Sequence, residues 1–88
     1  MRASHILVDT LEEAQLIRKK INQGIDISML AFTHSTCPDS KNNLADLGEI
    51  APGQMDPAFE AALNSIGIGS HTGPIKTPAG YHIIKRTG

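Results

Sequence analysis

The sequence predicts an α+β domain in which helices wrap a four-stranded, mainly antiparallel sheet. Three observations lead there. The order of elements reads β-α-α-β-α-β-β, which segregates helices from a sheet that contains a final hairpin. Two β-branched runs lie at opposite ends of the chain, Ala-Ser-His-Ile-Leu-Val at 3–8 and Gly-Tyr-His-Ile-Ile at 80–84. Each run carries one histidine, His5 and His82, so pairing of the terminal strands would bring two imidazoles into one sheet.

Each element has a local cause. Residues 3–9 alternate around Ile6, Leu7 and Val8 and read as the first strand. Thr10-Leu11-Glu12-Glu13 is a capping box, with glutamate at the third helical position. The helix it opens runs to about Gln23, and Gly24 supplies a left-handed stop. Ala14, Ile17 and Ile21 form its apolar stripe. Asp26 or Ser28 caps a second helix that runs through about His34, with Met29, Leu30 and Phe32 available for packing. Residues 35–45 are rich in turn formers and read as a loop with room for one short helical turn. Asp46 to Ile50 is a short strand, and Pro52-Gly53 a turn. Asp56-Pro57 starts a third major helix, because proline suits the first helical position; it runs through about Asn64. A glycine-rich connection at 66–70 leads to strands at about 71–76 and 80–86, joined by Thr77-Pro78-Ala79-Gly80.

Composition narrows the function. Eighty-eight residues allow one domain, 1–88, with one core and one site; the chain could also be a domain of a larger protein. The net charge is −1 and no basic run exceeds Arg18-Lys19-Lys20, so a nucleic-acid partner is not expected. A single cysteine, Cys37, excludes an internal disulfide and fits a reducing, cytoplasmic compartment. No apolar run approaches the ~18 residues of a membrane span. A monomer is the expected state. Aromatics are scarce: Phe32, Phe59 and Tyr81 only. A site built on Phe59 therefore uses a rare residue. Met55 and Phe59 are four apart at a helix start and share one face.

Five phrases, in order, complete the pattern: SHILV at 4–8, HSTCP at 34–38, DLGEI at 46–50, GQMDPAFEAA at 53–62 and TGPIKTPAGYHIIK at 72–85. Over essentially the whole chain this pattern resembles the parvulin family of peptidyl-prolyl cis/trans isomerases, most closely its small single-domain members. The resemblance implies an FKBP-like superfold and a shallow groove for proline. It places the family's histidine pair on His5 and His82 and its groove cysteine on Cys37. The proline pocket falls on Leu47, Met55 and Phe59, and a hydroxyl near the last turn on Thr77. Gln54 could hydrogen-bond a substrate backbone. The chain departs from the family at four places. Leu44 and Ala45 replace two usual glycines, and the cysteine-to-aspartate loop is slightly longer. Ile50 stands where Phe is common, and Ala79 where some members carry Ser. The first two changes bear on the direction of Cys37.

The implied reaction is rotation about Xaa-Pro bonds in unfolded or flexible segments. It faces a barrier of roughly 18–20 kcal/mol from amide resonance. No bond is broken, so no metal or cofactor is implied. Members that prefer phosphorylated Ser/Thr-Pro carry a basic cluster after the first strand. Here Asp9-Thr10-Leu11-Glu12-Glu13 is acidic, which predicts no phosphate preference. An open apolar groove points to apolar or uncharged residues before the proline. Cys37 is expected to act non-covalently, and the histidines to organise the site. The runner-up function is a non-catalytic, chaperone-like module that binds proline-containing or unfolded segments. A metal site on His5, Cys37 and His82 is a weaker reading, since no local ligand pair of the C-x-x-C kind exists. A cysteine hydrolase is weaker still, with no evident oxyanion-hole motif.

Overall fold

The computed structural model describes residues 1–37, 41 and 45–88. Its elements are β1 (Arg2–Val8), α1 (Leu11–Asn22), α2 (Ile27–His34), β2 (Asp46–Glu49), α3 (Pro57–Asn64), β3 (Ile75–Thr77) and β4 (Gly80–Arg86). The sheet order is β2-β1-β4-β3 and every pairing is antiparallel. The two ends of the chain thus form the centre of the sheet, and the two short strands form its edges. Short edges limit the unpaired backbone offered to other chains.

Strand alternation sends successive side chains to opposite faces. Ile6, Val8 and Ile83 lie under α1 and α2, in a core with Ala14, Ile17, Leu30, Ala31 and Ala45. Ala3 and Ile84 lie on the other face, against Phe59 and Leu63 of α3 and Ile50. His5 and His82 share this second face, so the site lies between the sheet centre and α3.

The helix starts follow their local signals. Thr10 Oγ1 accepts the Glu13 N–H at 3.2 Å, and Asp26 Oδ1 accepts that of Ser28 at 2.9 Å. Asp56 Oδ1 accepts the Ala58 N–H at 2.9 Å, with Pro57 in the first turn. The Glu13 carboxylate lies 3.5 Å from His34 Nδ1 and ties α1 to the end of α2. Gly24, at φ 97°, ends α1 as expected.

Met29 and Phe32 were expected to be available for packing, yet they are 67% and 69% exposed; α2 buries Ile27, Leu30 and Ala31 instead. The strand expected at about 71–76 begins only at Ile75. Before it, His71 makes an isolated bridge to Lys85, and Thr72 donates its N–H to Ile84 O. Gly73 follows, with the Arg18 side chain lying across it. The expected loop at 35–45 lies partly outside the described residues, as does the departure at Leu44. Among the described residues, no helix is long and apolar enough to cross a membrane.

Candidate active site

The register of the central pair creates the site. His5 is paired with Ile84, and His82 with Leu7. The histidines are therefore diagonal neighbours on one face, within reach of long side chains. Their Nδ1 atoms lie 3.0 Å apart, with ring centroids at 5.1 Å. On the far side of His82, Nε2 is 2.7 Å from Thr77 Oγ1. That hydroxyl oxygen also accepts the Ala79 N–H at 3.3 Å.

Neutral imidazoles have one N–H each, which leaves two consistent arrangements. In one, His5 Nδ1–H donates to His82 Nδ1, and His82 Nε2–H donates to Thr77 Oγ1. In the other, the Thr77 hydroxyl donates to His82 Nε2, and His82 Nδ1–H donates to His5. A doubly protonated pair would set two N–H donors head to head. Both rings are pushed towards the neutral form. Burial, and then the proximity of His82, lowers the His5 pKa to about 4. Burial also lowers that of His82, opposed by the Asp56 carboxylate.

Phe59 fixes the pair from α3. Its ring meets His5 edge-on at 5.7 Å and His82 at 5.4 Å. It is fully buried. Phe59 and His82 also line a hollow of about 290 Å³. Gln54, Met55 and Asp56 line it too, as do Thr77, Pro78 and Ala79 of the β3–β4 turn. Its volume lies just below the roughly 300–1,000 Å³ range of small-molecule sites, which suits one or two residues of a chain. Gln54 Oε1 accepts the Ala51 N–H at 2.9 Å, which leaves the amide NH₂ as its donor group. Ala79 presents a methyl where a serine would add a competing hydroxyl.

The remaining candidates sit around this centre. Leu47, like Met55, packs partly buried on the cluster that contains Phe59; it is not among the residues lining the hollow. Cys37 is a free, half-buried thiol, also outside that lining. Its backbone is well anchored: its N–H donates to Ser35 Oγ at 3.3 Å, and the Leu7 N–H donates to the same oxygen at 3.2 Å. Thr36 N–H donates to Leu7 O at 2.8 Å. The segment that carries Cys37 is thus stitched to β1 two residues beyond His5. Among the described residues, no group of three His, Cys, Asp or Glu side chains is placed to hold a metal ion.

Sequence reasoning missed three contributors. Asp56 was read only as a cap, although it also lines the hollow. Ser35 is buried and ties two backbone segments together. Ala45 is buried in the left-handed region, at φ 70°, and its carbonyl accepts the His5 N–H at 2.9 Å. The usual glycines at 44–45 were the available signal for Ala45: they mark backbone that needs positive φ.

This is the architecture of a peptidyl-prolyl isomerase domain, and comparison with known proteins agrees. The model of the rotamase family, the PPIC-type PPIase domain, matches residues 5–88. The chain belongs to that family. It is 44% identical over 87 residues to the foldase protein PrsA of Geobacillus kaustophilus, a match covering 99% of this chain and 31% of the relative. It superimposes on the crystal structure of the peptidylprolyl isomerase PrsA from Bacillus anthracis with a TM-score of 0.98 and 43% identity, covering 100% of this chain and 41% of the other. The solution structure of NmPin, the parvulin of Nitrosopumilus maritimus, matches with a TM-score of 0.89 and 38% identity, covering 100% and 95%. The chain spans about a third of the length of the foldases it matches.

Proposed function

We propose that this domain accelerates cis/trans rotation of Xaa-Pro bonds in unfolded or flexible protein segments. The observation that carries the reading is the apolar hollow walled by Met55, Phe59 and His82, where His82 is bonded on one side to His5 and on the other to Thr77. The proline ring enters the hollow while the preceding carbonyl turns. The twisted amide is less polar than the planar one, and hydrogen bonds to the carbonyl oxygen favour the planar form. A neutral His82, with its ring nitrogens directed at His5 and Thr77, withholds those bonds. An acceleration of about 10⁵ needs about 7 kcal/mol of such differential stabilisation.

In this reading Met55 and Phe59 hold the ring, Gln54 donates to a substrate carbonyl outside the rotating bond, and Leu47 supports the pocket from β2. The His5–His82–Thr77 chain keeps both imidazoles fixed and neutral, and Cys37 offers a soft thiol to the bound segment from outside the lining of the hollow. Phosphorylated segments are not preferred, since the exposed chain after β1 is acidic. The binding-only alternative is disfavoured by the family and by relatives named as peptidylprolyl isomerases. A cytoplasmic domain is part of the proposal, supported by the lone cysteine, and a monomer is taken as its simplest state; cell fractionation and sedimentation test the two.

Exchange NMR on short Ala-Xaa-Pro-Phe peptides tests the activity. Cis/trans exchange peaks should appear at substoichiometric protein and weaken with Met55→Ala. Shifts of pocket resonances without exchange would make it a binding module instead.

A further inference from the structure

The lining of the hollow contains one carboxylate, Asp56, and no lysine or arginine. Among the described residues, no cationic side chain lies within ion-pair distance of Asp56. The carboxylate is also held in place. One oxygen accepts the Ala58 N–H at 2.9 Å, and Pro57 stiffens the chain beside it. One turn further along α3, Glu60 accepts the Gly53 N–H at 2.9 Å. Glu60 thus anchors the turn that leads into this wall of the hollow, and Asp56 is the acid that lines it. Lys76 does not balance them, because strand alternation sends it to the opposite face from Thr77.

We infer that the groove favours proline segments bearing lysine or arginine within two residues of the proline over segments bearing glutamate or aspartate, and that Asp56 sets this preference. The inference rests on the isomerase reading and names its substrate class, replacing the expectation of apolar or uncharged residues before the proline. Its size is bounded by two effects. The N-terminus of α3 carries the equivalent of about half a positive charge, which offsets part of the carboxylate. The groove is open to solvent, where single ion pairs are weak. A few-fold selectivity remains, with uncharged segments between the two charged classes.

The test uses peptides that differ only by Lys, Ala or Glu, placed before or after the proline. Exchange rates and resonance-shift titrations are recorded for the wild type, Asp56→Asn and Asp56→Ser. Both variants retain a capping acceptor for α3. The expected Lys-to-Glu ratio of kcat/KM is about fivefold for the wild type at low salt and falls towards one at about 1 M salt. It should drop below about twofold in both variants at low salt, whatever their rate on the alanine peptide. A wild-type ratio near one, or a ratio that survives in the variants, overturns the inference. If no peptide is turned over, the isomerase reading fails on its own. The Lys-to-Glu ratio of dissociation constants from the titrations then still decides the charge preference.

Discussion

His5 and His82 meet diagonally across the central strand pair, with Nδ1 atoms 3.0 Å apart, although neither is the other's register partner. The contact depends on three things at once: the β1–β4 register, the Phe59 edge that restrains both rings, and the Thr77 hydroxyl beyond His82. Each gives a testable consequence.

The first concerns acid. The folded pKa of His5 is depressed to about 4 from an ordinary value of 6.5. Between these values the unfolded chain binds more protons than the folded one, so stability rises with pH. The His5 contribution is fully present above about pH 6.5 and is lost as pH falls towards 4. His5 alone should contribute a loss of about 2–3 kcal/mol in urea unfolding between about pH 7.5 and pH 4.5, with the lowered His82 and His71 adding in the same direction. His5→Gln should flatten that slope; an unchanged slope would remove His5 burial as the cause.

Thr77 should matter through its hydroxyl. Thr77→Val conserves shape but leaves a buried His82 nitrogen without its partner, at a cost of about 1–3 kcal/mol. Thr77→Ser keeps the hydroxyl and should recover most of that stability. Nitrogen-15 shifts of His82 should move in the valine variant only. Equal shifts in both variants would point to packing rather than to the hydrogen bond.

Met55 and Phe59 should separate function from stability. Phe59 is fully buried and touches both imidazoles, so Phe59→Ala should cost about 3–5 kcal/mol and unfold much of the population. Met55 is only partly buried at the hollow. Met55→Ala should cost about 1–2 kcal/mol of stability but lower kcat/KM about tenfold on Xaa-Pro peptides. Activity that tracks stability in both variants would count against the pocket.

Ala45 tests the local backbone. Its left-handed conformation costs roughly 1–2 kcal/mol for a residue with a Cβ. Ala45→Gly relieves this but loses a buried methyl, worth about 0.8 kcal/mol, and adds chain entropy worth about 0.5–1 kcal/mol. The terms nearly cancel, so denaturation should show a change within about 1 kcal/mol. Ala45→Val has no such relief. It should cost more than about 2 kcal/mol and shift the His5 amide, whose hydrogen bond ends on the Ala45 carbonyl. A valine variant as stable as the wild type would argue against the strain.

Local sequence sufficed for what depends on neighbours in the chain. Thr10, Asp26 and Asp56 cap because their oxygens reach an N–H two or three residues on, and Gly24 stops a helix because it tolerates positive φ. Alternation on β1 and β4 put His5 and His82 on defined faces, and the five-phrase pattern carried the fold class and the histidine pair. Other features needed the assembled fold. Residues 27–32 are apolar almost all round, so periodicity could not choose a face; docking on β1 buried Leu30 and exposed Phe32. Residues 71–74 looked extended, but continuous ladder pairing gave way to an isolated bridge at His71 and an Arg18 side chain crossing Gly73. Asp56 became part of the groove, and Ala45 the partner of His5, only because segments distant in sequence meet there. Capping, turns and alternation are short-range physics and are written in the chain; the facing partner of a helix and the far end of a hydrogen bond are set by packing alone.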